Sequence, residues 1–120
     1  MQYAQMKNIL ETIENPVDKL EMLMDFGMHM DSVPDNAQCT EIVGCASHVE
    51  ICRAGNRFYG RADSGIVRGV VAVLLAMVDG KTPQEIKNMD LMQEFSSLHL
   101  SLGAGRLSGL NSMISFLQNL

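Results

Sequence analysis

Residues 40–62 read TEIVGCASHVEICRAGNRFYGRA. Two short runs in this stretch alternate in character, Thr40–Val43 and Ser47–Arg53. In the second, Val49 and Ile51 fall on one face and His48, Glu50 and Cys52 on the other. Gly44-Cys45-Ala46 separates the runs as a tight connection. Ala54-Gly55-Asn56 then turns the chain into a third run, Arg57–Ala62. The reading predicts a three-stranded antiparallel meander. With Val43 opposite His48, Cys39 falls opposite Cys52, and Cys45 is left alone at the tip of the first hairpin.

Helical spacing brackets this meander. Tyr3, Met6, Ile9, Leu10 and Ile13 predict a first helix running to about Glu14. Asn15-Pro16 breaks and restarts the chain, with Asn15 as cap and Pro16 at the first helical position. Val17, Leu20, Leu23, Met24 and Met28 form the expected inner stripe of the second helix. Residues 31–36 are a loop by composition. After the meander, Asp63 or Ser64 can cap a helix in which Ile66, Val67, Val70, Val71, Val73, Leu74, Leu75, Met77 and Val78 are apolar nearly all round, which predicts a central position. Gly65 and Gly69 either let this helix approach the sheet closely or merely weaken it. Thr82-Pro83-Gln84-Glu85 reads as a capping box, and Asp90 as a further cap. Gly103-Ala104-Gly105 leads into a last helix with Leu107, Leu110, Met113, Ile114, Leu117 and Leu120 as its stripe. The expected architecture is α+β, a small sheet with helices packed on it, in one domain over residues 1–120.

Composition excludes several classes of function. The chain has 120 residues, 47% of them apolar and 19% charged, with a net charge of −5. Its few Lys and Arg are scattered, so no electrostatic footprint for nucleic acid or for an anionic membrane is expected. The start, MQYAQMKNIL, lacks a basic region followed by an apolar run. The longest apolar stretch, Ile66–Val78, is shorter than the roughly 20 residues that span a bilayer. Three cysteines, an odd number without a secretory context, suggest free thiols in a reducing compartment. Ten Met and no Trp suggest an adaptable core.

Few side chains are spaced for chemistry. Cys45 follows Gly44 at a bend between strands, where a loop on a rigid sheet can present a reactive group; by position alone it reads first as a small core hydrophobe. The cysteine spacings C-x5-C and C-x6-C do not match a zinc pair. His48 and Cys52 share a strand face but stand about 13 Å apart, too far to share an ion. His48, Glu50 and Cys52 suggest a proton-transfer cluster but read more simply as a solvated strand face, and His99 as a helix-end residue. Gly103-Ala104-Gly105 lacks the Gly-Lys-Ser/Thr of a phosphate loop. Ser64, Ser101 and Ser108 have no base or nucleophile elbow nearby.

Four stretches together carry a resemblance. Val43-Gly44-Cys45-Ala46-Ser47-His48-Val49 is similar to the GCxSxV signature of the SufE family, which supports iron–sulfur cluster assembly. Gly60–Gly69 resembles that family's strand-to-helix passage ending in Ile-Val-Lys/Arg-Gly. Thr82-Pro83-Gln84-Glu85-Ile86 is similar to its Thr-Pro-x-x-Ile helix start, and Arg106–Ile114 to its R-x-x-G-L-x-x-M-I closing helix. Two departures stand out: Glu50 where the family often has an aromatic residue, and residues 101–105 in place of a Ser/Thr-Pro lead-in.

The resemblance implies a SufE/IscU-like fold and a sulfur acceptor that is not an enzyme in its own right and carries no cofactor or metal. A PLP-dependent cysteine desulfurase would be the donor and an iron–sulfur scaffold complex the recipient, in the cytoplasm. Cys45 is the matching sulfur-accepting position, Arg106 and Asp63 match supporting residues, and Gly44 and Ser47 match the loop frame. The family tucks its cysteine against apolar surface until the partner docks, and the same is expected here. Thiolate attack on the outer sulfur of a persulfide needs no resident base, which agrees with the lack of a catalytic cluster. Two other functions compete: an IscU-like iron–sulfur or zinc scaffold, which needs three converging cysteines, and a silent paralogue that only docks.

Overall fold

The three strands form in the predicted order. In a computed structural model, which describes residues 1–120, β1 (Gln38–Glu41), β2 (Val49–Ala54) and β3 (Arg57–Ala62) make one antiparallel sheet in the order β1-β2-β3. Cys39 pairs with Cys52, the register expected from setting Val43 against His48. Val49 and Ile51 face inward and are buried, with Phe58 beside them on β3. The predicted tight connection at Gly44 is instead a longer loop over residues 42–48, because β1 ends at Glu41 and β2 starts only at Val49.

The outer sheet face departs from expectation. Glu50 and His48 are on it, but Cys52 is 0% exposed, between Cys39 and Tyr59 in the cross-strand row. Cys39 and Cys52 are joined in a disulfide, not the free thiols that the cysteine count suggested. The count treats cysteines as a set, whereas strand register decides which sulfurs meet.

Six helices complete the fold. α1 (Tyr3–Glu11) stops short of Glu14, where Thr12 takes the C-cap and its hydroxyl donates to Ile9 O. α2 (Pro16–Met28) starts as predicted: Asn15 Oδ1 accepts from the N–H groups of Val17 and Asp18. Its inner stripe is shifted, however. Leu23 is buried as expected, but Val17 and Met28 are 62% and 74% exposed, and Phe26 and Gly27 are buried instead. The buried face of α2 is the one that meets α3 (Gly65–Val78), the central helix, buried from Gly69 to Leu75 without a break.

Close approach of these two helices needs glycine. A Cβ on Gly69 would collide with the Leu23 backbone, and one on Gly27 would sit 2.6 Å from Gly69 N. Gly69 therefore brings α3 against α2 and not against the sheet, where Gly60 of β3 leaves room for Val71 and Leu75. Ser64 occupies the N-cap of α3 without a side-chain bond.

The predicted caps downstream are present. In α4 (Pro83–Lys87) the Thr82 hydroxyl accepts from Glu85 N–H while Glu85 Oε1 accepts from Thr82 N–H. Asp90 Oδ1 accepts from Gln93 N–H at the start of α5 (Leu91–Ser96). α6 (Ala104–Gln118) buries Leu110, Met113, Ile114 and Leu117, while Leu107 and Leu120 at the stripe's ends are exposed. No helix is long and apolar enough to cross a membrane.

Candidate functional site: a thiol loop seated on the last helix

The loop over residues 42–48 is tied at both ends. Ile42 N–H donates to Val49 O at 2.9 Å, with the Ile42 side chain in the core. At the other end, Asp63 N–H donates to His48 O at 3.4 Å. Between these anchors Val43 projects outward, 86% exposed. Gly44 has φ +99°, a conformation that L side chains rarely adopt, and a Cβ there would also strike Ser112 Oγ. This turn sends the next side chain, Cys45, back toward α6.

Cys45 is half-buried and is the one free cysteine. Its thiol donates to Gly109 O, Sγ to oxygen 3.7 Å. Gly109 forms the seat: a Cβ on it would lie 3.3 Å from Cys45 Sγ. The thiol faces a pocket of about 30 Å³ walled by Val67 and Val70 of α3 and by Gly105, Arg106, Gly109 and Met113 of α6. Burial pushes the Cys45 thiol up from its ordinary value, so its proton is held more firmly.

The other sequence-predicted residues divide. Arg106 and Ser47 line the same pocket as Cys45. Arg106 Nη1 donates to Leu102 O at 3.2 Å, a bond that folds the side chain back over the first turn of α6. The unusual 101–105 segment, with Gly103 at φ +82°, thus still places Arg106 in the wall of the thiol's pocket. Asp63 is exposed and does not line the pocket; its backbone, not its carboxylate, touches the loop. Gly109 and Ser112 are not among the residues that sequence reasoning singles out, although both lie within the R-x-x-G-L-x-x-M-I run.

The charged residues near the loop lie on the outer sheet face. His48 Nδ1 is 3.2 Å from Glu41 Oε2, and its Nε2 is 3.5 Å from Glu50 Oε2. Arg61 Nη1 adds a contact to Glu50 Oε2 at 3.4 Å. Glu50 therefore faces His48 and Arg61 on the outer sheet face. No three His, Cys, Asp or Glu side chains converge where they could hold a metal ion. A larger hollow of about 140 Å³ opens at the far end of α3, over Phe26, Phe58 and Leu75, and includes none of the predicted site residues.

A family model described as SufE, Fe-S metabolism associated domain, matches residues 4–120. The chain belongs to the SufE family. Within this family it is 33% identical over 117 residues to the sulfur acceptor protein CsdE of Escherichia coli K12, covering 90% of this chain and 80% of that protein. It is 31% identical over 109 residues to an uncharacterized SufE-like protein of Rhizobium meliloti, covering 81% of this chain and 78% of the relative. A SufE-like protein of Haemophilus influenzae is 30% identical over 120 residues, covering 92% and 95% of the two chains. The solution structure of a hypothetical protein from Thermus thermophilus superposes with a TM-score of 0.70 at 15% identity, covering 98% of this chain and 90% of that one. That likeness is one of fold, and it agrees with the α+β architecture read from the meander and its flanking helices.

Proposed function

We propose that this SufE-family protein accepts the terminal sulfur of a persulfide onto Cys45 from a PLP-dependent cysteine desulfurase and hands it on for iron–sulfur cluster assembly. The observation that carries the reading is the seat of Cys45: a single free thiol on a glycine-hinged loop, turned inward against Gly109. The name of the Escherichia coli relative, a sulfur acceptor protein, supports the same role. The PLP chemistry belongs to the partner, so the protein works as an accessory and not as an enzyme. Its place of work in this reading is the cytoplasm.

The chemistry follows from exchange at sulfur. The Cys45 thiolate attacks the outer sulfur of the donor persulfide. A new S–S bond forms on Cys45, the donor's S–S bond breaks, and the donor cysteine leaves as a thiolate. In the closed state burial favours the protonated form of Cys45 and thus makes it a poor nucleophile toward stray disulfides. Docking swings the loop outward, with Val43 as an apolar contact at its tip, and solvation then frees the thiolate. Arg106 stands beside the pocket as a cation for the developing or transferred anionic sulfur. Ser47 and Gly44 frame the loop, and Asp63 holds its far end through the backbone.

A scaffold function would need three thiolates on one ion. Here two cysteines are bonded to each other on the outer sheet face, and the third points between α3 and α6. Sulfur transfer is tested by incubation with a cysteine desulfurase and cysteine, followed by mass spectrometry. The Cys45 peptide should gain one sulfur and the Cys39 and Cys52 peptides none. Desulfurase stimulation that is unchanged in Cys45→Ser would remove the sulfur-transfer role and leave a protein that only docks.

A further inference from the structure

We propose that Cys39 and Cys52 form a reversible redox site, opened and closed by small-molecule thiols and disulfides of the glutathione class, that sets how freely the Cys45 loop moves. The proposal rests on the reading above only in that loop movement serves sulfur transfer. The site itself follows from the strands.

The ladder places the two sulfurs together. Ile42 N–H donates to Val49 O, which makes Ile42 and Val49 a hydrogen-bonded pair of the antiparallel ladder. Such pairs alternate with closer pairs that lack hydrogen bonds. Three steps along, Cys39 and Cys52 fall on a closer pair, and their Cα atoms are 3.9 Å apart. The bond between them crosses the sheet at the root of the hairpin whose tip carries Cys45.

The two sulfurs are unequal. Cys39 is exposed on edge strand β1, whereas Cys52 is fully buried. An incoming thiolate therefore reaches only the Cys39 sulfur. Its attack forms a mixed disulfide on Cys39 and expels Cys52 as a thiolate, which takes a proton. A second small thiolate then attacks the outer sulfur of that mixed disulfide, releasing Cys39 and a small-molecule disulfide. Two electrons pass from two small thiols to the protein bond, and the reverse sequence closes it. Arg61 Nη1, 3.8 Å from Cys39 Sγ, favours the thiolate of Cys39 in the closing direction.

The mechanical consequence comes from how little else holds β1. All four of its residues are exposed. With the bond closed, residues 39 to 52 form a ring that contains the whole Cys45 loop. With it open, β1 is held by backbone pairing, by the exposed Glu41–His48 contact and by the neighbouring Ile42 side chain, and the loop gains freedom at its first anchor. A reducing compartment then favours the mobile, sulfur-accepting form, and oxidation clamps Cys45 in its seat.

The test measures Cys45 and the latch separately. The full chain is equilibrated in buffers of graded thiol-to-disulfide ratio, pulsed with an alkylating agent and digested, and each cysteine peptide is followed by mass spectrometry. Cys45 should alkylate several-fold faster where Cys39 and Cys52 are reduced than where they are bonded. The double variant Cys39→Ser, Cys52→Ala, checked for native helical circular dichroism, should show the faster rate at every ratio. Equal Cys45 rates in the two redox states of the wild-type chain would overturn the proposal, as would a bond that no thiol ratio opens in the folded protein. Sulfur gain from a desulfurase is scored independently on the Cys45 peptide. If alkylation responds to the latch but no sulfur is gained, the latch stands and the sulfur-acceptor reading falls.

Discussion

Gly109 is where a single atom decides the behaviour of the thiol. A Cβ at this position would stand 3.3 Å from Cys45 Sγ and 3.6 Å from its Cα, so Gly109→Ala should unseat the loop. In the helix itself the same change is favourable by about 1 kcal/mol. The expected outcome is therefore near-native stability with Cys45 alkylated roughly fivefold faster, the factor that 1 kcal/mol of population shift produces. An unchanged alkylation rate would show that the loop does not rest on this residue. The thiol's own ionisation adds a second expectation. Burial raises the folded-state pKa of Cys45 above its unfolded value. Its contribution to stability is then whole below the ordinary thiol range and is lost as pH rises through it and beyond. Urea midpoints of wild type and Cys45→Ser should diverge above about pH 8.5, with the wild type falling faster. Parallel curves would show that the thiol is not held in its neutral form by the fold.

At the scale of elements, two contacts set the frame. The α2–α3 crossing depends on Gly69 lying against the Leu23 backbone. Backbone cannot rotate out of the way as a side-chain tip can, so Gly69→Ala should destabilise by about 1–3 kcal/mol, read as a lower urea midpoint. A midpoint at or above that of wild type would mean that the glycine only weakened its helix. The β1–β2 pair is the second. Its disulfide joins residues 13 apart in sequence. Closing a loop of about 15 residues is worth roughly 3 kcal/mol in the chain-entropy account. Reduction should lower the urea midpoint accordingly, and hydrogen exchange should place the first loss of protection in residues 38–41.

Across the whole molecule, α3 is the element that α1, α2, α5 and β3 share as a packing partner. Leu74 is 0% exposed at its centre. Leu74→Ala should cost about 2–5 kcal/mol, a large share of the 5–15 kcal/mol typical of a native protein. The variant should melt far earlier while its Cys45 alkylation stays near wild type under native conditions, because Leu74 is not among the residues that wall the thiol pocket. A selective rise in Cys45 reactivity would instead mean that the core positions the loop directly. The division of labour is spatial: the α2 and sheet contacts of α3 stabilise the fold, and its Val67 and Val70 end, with α6, builds the wall behind the thiol.

Local patterns in the chain are enough to place the elements and most of their ends. Alternation specifies the meander and even its register, since side chains on a strand must repeat every two residues to bury one face. Asn15-Pro16, Thr82–Glu85 and Asp90 mark helix starts because a cap is a bond between near neighbours. Cys45, Arg106 and Ser47 stand in short motifs, and the family those motifs resemble is the one to which the chain belongs. Which faces meet is a matter of packing. Packing turns Gly69 toward α2, leaves Val17 and Met28 exposed, and sets Gly109 beneath the thiol while Asp63 stays outside the pocket. These are contacts between residues far apart in the chain or on different elements. They follow from how whole helices and strands fit against one another, and no local spacing encodes them.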